Sequence, residues 1–119
     1  MIEFKNEEAR STYPQLDERL KDAVFFCSQW CDKNKIPFVI TRCIDGMIPN
    51  VSKTDIHSTG RACDVSIKGW TADNIDDFIH DINERFSNEI GAFSITDNVA
   101  RFCIYHCGIG FHMHLQVRP

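Results

Sequence analysis

The chain has 119 residues, 43% hydrophobic and 25% charged, which is the size and composition of one soluble globular domain. Its net charge of -4 with histidine neutral disfavours nucleic acid as a partner, because nucleic-acid binding needs a basic face. No run of about eighteen apolar residues predicts a membrane span and no signal peptide is visible, so we expect a monomeric single domain over residues 1–119, cytoplasmic as synthesised.

Four elements are predicted in the first half of the chain. Apolar residues at three- and four-residue steps predict a helix over 15–34, with Pro14 suited to its first turn. A short β-branched run predicts a strand over 38–41. Gly, Pro, Asn and Ser then mark a long loop over 43–56, and alternation predicts a strand over 61–67.

The second half of the chain begins with a clear amphipathic pattern. Thr71 is a suitable N-cap for a helix over 72–87, and strands are predicted over 93–95 and 100–105. The last strand, over 111–117, places three polar side chains on one face: His112, His114 and Gln116. The sum is an α+β domain with an antiparallel sheet and two main helices.

Six cysteines raise the question of disulfides or a metal cluster: Cys27, Cys31, Cys43, Cys63, Cys103 and Cys107. Without a signal peptide, reduced and buried thiols are the expectation. Two CxxxC spacings could supply four thiolates to zinc, but the usual signature is two CxxC pairs, so the match is weak.

Three side chains that can bind a metal lie where two strands could bring them together. His57 precedes the strand that carries Asp64, and His114 lies on the last strand. Two imidazoles and one carboxylate suit zinc, and three protein ligands leave a coordination position for water. Such a water has its pKa lowered toward about 7 and supplies hydroxide at neutral pH. The alternative is that the histidines are packing or surface residues and that Asp64 faces water.

The run from His57 to Asp64 reads HxxGxAxD and resembles the motif of the LAS-type zinc peptidases. That family includes D-alanyl-D-alanine carboxypeptidases and dipeptidases, phage endolysins that cut L-alanyl-D-glutamate bonds, and the related hedgehog fold. Residues 111–118 are similar to the family's late strand, which carries the third ligand. The resemblance covers roughly residues 15–118 and implies a hedgehog or D,D-peptidase-like fold with one zinc ion per chain, held by His57, Asp64 and His114.

The resemblance also suggests which residues act on a substrate. Many members place an acidic base three residues before the last ligand, where this chain has Phe111. Other members have an HxH form, so His112 is the candidate base. Arg42 and Arg61 are candidates for binding a substrate carboxylate or the developing oxyanion, with surface ion pairs or solvated charges as the alternative. His106 is a second candidate base.

The function that the resemblance implies is hydrolysis of a peptide bond in peptidoglycan stem peptides, by a carboxypeptidase or an endolysin. A bare catalytic domain without a signal peptide resembles a phage lysis enzyme that reaches the cell wall after a holin opens the membrane. One alternative is a zinc-binding module without activity, as in hedgehog-like domains. Another is a domain without metal, in which the histidines and cysteines only pack.

Overall fold

The computed structural model describes residues 1–44, 59–93, 97–108 and 110–119. Three α-helices and seven strands follow one another in this described part of the chain. They are β1 Ile2–Phe4, α1 Glu7–Thr12, α2 Glu18–Lys33, β2 Phe38–Arg42, β3 Ala62–Ser66, α3 Ala72–Ile90, β4 Ala92–Phe93, β5 Ala100–Arg101, β6 Cys103–Gly108 and β7 Gly110–Gln116.

Five strands form one sheet in the order β1-β2-β3-β7-β6, and β4 pairs separately with β5. The predicted α+β class is confirmed. The predicted antiparallel sheet is confirmed for all pairs but one: β1 pairs in parallel with β2, while the other pairs of this sheet are antiparallel. The reason is the connection: α1 and α2 lie between β1 and β2, and a helical crossover returns the chain in the same direction.

The first long helix begins later than its apolar pattern predicts. α2 starts at Glu18 rather than at 15, because the side chain of Asp17 accepts a hydrogen bond from the backbone N–H of Arg19 and caps the helix there. Pro14 lies in a 3₁₀ turn just before it. β1 and α1 were not predicted at all, and the predicted loop over 43–56 lies outside the described residues from position 45 onward.

The second long helix begins where it was predicted and continues about one turn further. Thr71 and Asn74 form a reciprocal capping box, in which each side chain accepts from the other residue's backbone N–H. The predicted strand over 100–105 is two strands separated at Phe102. The backbone N–H of Phe102 donates to Asn83 Oδ1 at 3.1 Å and to Ser87 Oγ at 3.0 Å. Side chains of α3 therefore bind the backbone at the point between β5 and β6.

The two long helices cover one face of the sheet and form a single core with it. The largest fully buried side chains come from both layers: Leu20, Phe38, Ile40, Phe78, Ile82 and Phe102. The predicted alternation of β3 and β7 is confirmed, since the following residues face this core: Cys63, Val65, Met113 and Leu115. The residues between them therefore project from the opposite face.

Five cysteines have described side chains, and all five are buried thiols. The expectation of reduced, buried thiols is confirmed for these five. Burial raises the pKa of Cys31 and of Cys103 from 9.0 to about 12, and the nearby Asp32 carboxylate contributes to the raised pKa of Cys31. Burial also raises the pKa of Cys27 and of Cys63 well above the ordinary value.

These thiols predict a loss of stability in alkali. Between about pH 9 and 12 the unfolded chain ionises its thiols while the folded chain keeps them protonated, so unfolding releases protons and is favoured as the pH rises. This contribution to stability is complete below about pH 9 and falls by about 1.4 kcal/mol per pH unit for each thiol shifted this far. Urea unfolding at pH 7, 9, 10 and 11 measures the effect, and a stability unchanged across this series would contradict it.

Candidate metal centre

Asp64 lies at the middle of β3, with strands on both sides of it. In the sheet register it is opposite His114 of β7 and opposite Arg42 of β2. Only 5% of Asp64 is exposed. A carboxylate removed from water in this way must be paired with a charge, hydrogen-bonded or bound to a metal.

A register shift in β2 turns Arg42 toward this carboxylate. Simple alternation would put Arg42 on the same face as Phe38 and Ile40, which are buried in the core. Ile40 pairs with Val65 and Arg42 pairs with Asp64, so two steps along β2 match one step along β3. The extra residue reverses the facing of Arg42. Its Nη1 lies 3.9 Å from Asp64 Oδ2.

Both histidines of the last strand face the same oxygen of Asp64. Nδ1 of His114 lies 3.0 Å from Asp64 Oδ1, and Nε2 of His112 lies 3.6 Å from it. The side chains of His114 and His112 are 13% and 20% exposed, so the cluster is largely buried but still in contact with solvent. The structure thus brings together Arg42, Asp64, His112 and His114, all of them predicted as site residues.

Hydrogen bonds to the far sides of the two imidazoles fix which ring nitrogens face Asp64. Nδ1 of His112 lies 3.2 Å from the carbonyl oxygen of Gly110. Because a carbonyl oxygen only accepts, the hydrogen of a neutral His112 ring belongs on Nδ1, and Nε2 is the basic nitrogen.

The side chain of Gln116 likewise determines which ring nitrogen of His114 carries a hydrogen. Sequence reasoning assigned Gln116 no role. Its Nε2 donates to the carbonyl of Arg101 at 3.2 Å, so its Oε1 accepts from Nε2–H of His114 at 3.1 Å. Nδ1 of His114 and Oδ1 of Asp64 then face each other with lone pairs, unless a proton or a metal cation lies between them. Gln116 shares a face with both histidines in the sequence alternation, which is the signal that could have identified it.

Gly60 of the HxxGxAxD motif has a backbone reason to be glycine. Its φ is +74°, and a Cβ there would lie 3.2 Å from the carbonyl oxygen of Gln15. Its own carbonyl accepts from the backbone N–H of Asp17 at 2.9 Å, next to the start of α2. The motif therefore anchors the entry to β3 against the first long helix.

The remaining predicted site residues are not part of the described cluster. His57 lies outside the described residues, as does the side chain of His106. Nε of Arg61, a half-buried residue, donates to Thr59 Oγ1 at 3.1 Å. Phe111 is 59% exposed and stacks on Tyr105, with ring centroids 5.4 Å apart. Strand alternation places Phe111 on the opposite face from His112, so an acid at 111 would not face Asp64.

Within the described ranges, no group of three or more His, Cys, Asp or Glu side chains is placed to hold a metal ion. None of the helices in this same part of the chain combines the length and the apolar character that a membrane span requires. Comparison of the chain with models of protein families, with curated proteins and with solved structures finds no match.

Proposed function

We propose that this chain is a zinc-dependent peptidase with a hedgehog or D,D-peptidase-like fold, and that it hydrolyses a peptide bond in peptidoglycan stem peptides. The observation that supports it best is the buried carboxylate of Asp64 opposite the imidazole of His114 on the neighbouring strand. These are two members of the proposed ligand set. His57, which precedes Asp64 in the HxxGxAxD motif, is the third.

The donor atoms fit one zinc ion per chain. Two donors bound tetrahedrally at about 2.0–2.1 Å from zinc are about 3.3 Å apart. Oδ1 of Asp64 and Nδ1 of His114 are 3.0 Å apart, so a small opening of the pair admits the ion. A cation there also removes the repulsion between the two facing lone pairs. The hydrogen bond from Nε2 of His114 to Gln116 is of the kind that orients a metal-binding imidazole from outside the ligand set.

The bound zinc would polarise the scissile carbonyl and lower the pKa of an attacking water. His112 has its basic Nε2 on the side of Asp64, and in this proposal it accepts the proton of that water. It then returns the proton to the amine that leaves when the C–N bond breaks. A peptide bond and one water thus become a carboxylic acid and an amine, and the histidine ends as it began.

Arg42 supplies positive charge beside the ligand set. Its guanidinium lies 3.9 Å from Asp64 Oδ2, and its side chain is 35% exposed. It can therefore donate to a substrate carboxylate or to the oxyanion that develops on the scissile carbonyl. Arg61, a half-buried residue just before β3, is the second candidate for a substrate carboxylate.

The substrate class rests on the motif resemblance, which favours a stem peptide with a D-amino acid near the cleaved bond. The resemblance also suggests a phage lysis enzyme, made in the cytoplasm and released to the wall by a holin. Loss of turbidity of purified cell walls tests this proposal. Zinc-loaded protein is expected to clear the suspension and His114→Ala is not. Full activity in the variant would defeat the ligand assignment.

A zinc-binding module without hydrolytic activity is the second candidate. The observation in its favour is that the described cluster of Arg42, Asp64, His112 and His114 holds no carboxylate besides Asp64, a proposed ligand, and so no acidic base of the kind that many members of the resembled family have. If the protein binds one zinc per chain and leaves every cell wall and stem peptide intact, this second candidate is correct.

Replacing Gln116 is expected to weaken zinc binding without removing a ligand. Gln116→Met removes the acceptor on His114 Nε2, and loss of such an outer hydrogen bond typically costs about 10- to 100-fold in metal affinity. Gln116→Glu keeps an acceptor oxygen and is expected to bind zinc far more tightly than the methionine variant. Isothermal titration with zinc measures both, and equal affinities for wild type and Gln116→Met would contradict the assigned role.

A further inference from the structure

The sheet face that carries Asp64 is closed to solvent at one end and open at the other. Along β3, Ala62 is fully buried, Asp64 is 5% exposed and Ser66 is half-buried. Along β7, the exposure of the side chains rises from His114 to His112. Because Ser66 and His112 are opposite each other in the antiparallel register, they lie at the same, open end of this face. A substrate therefore reaches the candidate metal centre over these two residues.

The side chain of Ser66 projects from this same face. Its neighbour Val65 is fully buried in the core on the other side of the sheet. Directly opposite side chains of an antiparallel pair have Cβ atoms about 4.5–5.5 Å apart, so Ser66 lies beside His112, the proposed base. Asp64 is two residues away on β3, which is about 6.8 Å along the strand. That distance corresponds to about two residues of an extended peptide.

The Ser66 hydroxyl has a hydrogen that it can donate to a ligand. Its Oγ accepts from the backbone N–H of Lys68 at 3.1 Å, and this bond holds the oxygen at the end of β3. A hydroxyl accepts and donates at once, so the bond from Lys68 leaves the hydrogen of Ser66 available. Among the described residues, none accepts this hydrogen. A ligand that enters over Ser66 can therefore supply the acceptor.

We infer that Ser66 is a substrate-binding residue, and that its hydroxyl donates a hydrogen bond to a backbone carbonyl of the bound peptide within about two residues of the cleaved bond. The inference rests on the proposed function for the peptide nature of the ligand, and it adds where the peptide lies and what holds it there. Every residue of a peptide offers such a carbonyl acceptor, whatever its side chain. One neutral hydrogen bond of this kind changes affinity about three- to tenfold.

Amide NMR titration of the ¹⁵N-labelled, metal-free full chain tests this inference with a synthetic stem tetrapeptide as the probe. Saturable shifts are expected at the amides of Ser66, Lys68 and His112. Ser66→Ala is expected to weaken binding about three- to tenfold, whereas Ser66→Thr keeps the hydroxyl and is expected to bind as the wild type does. The matched control is Ser11→Ala, which removes an exposed serine hydroxyl on α1 and should leave the affinity unchanged.

A second set of probes separates a bond to the peptide from a purely structural role of Ser66. In each probe the oxygen of one peptide carbonyl is replaced by sulfur, which is a weaker acceptor. For one of these carbonyls, the replacement is expected to weaken binding to the wild type and not to Ser66→Ala.

Four results would overturn the inference: no saturable binding, shifts only at other surfaces, wild-type affinity in Ser66→Ala, or a loss in Ser66→Ala of the same size with every probe. The titration detects binding and not cleavage. Its failure therefore leaves the zinc-dependent activity to the cell-wall assay, and a failure of that assay leaves the titration readable.

Discussion

His114→Ala is expected to abolish both the stabilisation by zinc and the peptidase activity that we propose for this protein. Wild-type protein at free zinc about 100 times its dissociation constant should gain about 2.7 kcal/mol, a rise in melting temperature on the order of 10 °C for a domain of this size. The variant lacks one ligand and loses the imidazole nearest to the buried Asp64 carboxylate. Its melting temperature should therefore not respond to zinc. Circular dichroism melts with and without zinc measure the difference.

His80→Ala is the matched control for this experiment. His80 is also a single histidine, but its side chain is 74% exposed on α3, beside Asp81 and Glu84 and away from the cluster around Asp64. This variant should respond to zinc as the wild type does. Equal zinc stabilisation of His114→Ala and wild type would remove His114 from the ligand set, whereas loss of the response in both variants would indicate adventitious surface binding.

His112→Ala is expected to lower kcat by about 10²- to 10⁴-fold, the usual contribution of a general base. Zinc affinity should change little, because the proposal assigns His112 to the water and not to the metal. Chromatographic detection of the released peptide gives kcat, and zinc titration of the same preparation gives the affinity. A variant that loses zinc would make His112 a ligand, and a variant with unchanged kcat would remove it from the mechanism.

The part of the candidate site formed by Asp64, His112 and His114 could be predicted from the sequence, because strand alternation determines which face of the sheet each of these side chains occupies. The HxH of the last strand fixes both imidazoles on one face, and Asp64 between Cys63 and Val65 must face away from those two apolar residues. Once β3 and β7 pair, with Asp64 opposite His114, these three side chains have to meet. The capping signal at Thr71 likewise predicted the beginning of α3 correctly.

Alternation places Gln116 on the face of the histidines, but it supplies neither the position of Arg42 nor the hydrogen bond that orients the Gln116 amide. Arg42 reaches Asp64 only because of a register shift in β2, and an extra residue in a strand leaves no periodic signal. Gln116 gains its role from the carbonyl of Arg101, which lies in β5 and outside β7. Both depend on tertiary pairing, which local pattern does not encode.

The N-terminal elements were missed for a different reason. β1 has three residues and α1 has six, too few to display a period of two or of about 3.6 residues. Asn6 followed by Glu7 and Glu8 is nevertheless a helix start signal, and the side chain of Asn6 does accept from the backbone N–H of Ala9. That short helix and residues 41–44 line a cavity of about 220 Å³.

A crystal structure of the protein grown with zinc, with anomalous diffraction measured at the zinc edge, tests the central claim most directly. We predict one anomalous peak per chain, about 2.0–2.2 Å from Asp64 Oδ1 and from Nδ1 of His114, with His57 completing the ligand set. A peak elsewhere, or no peak with Asp64 and His114 still 3.0 Å apart as they are here, would contradict it.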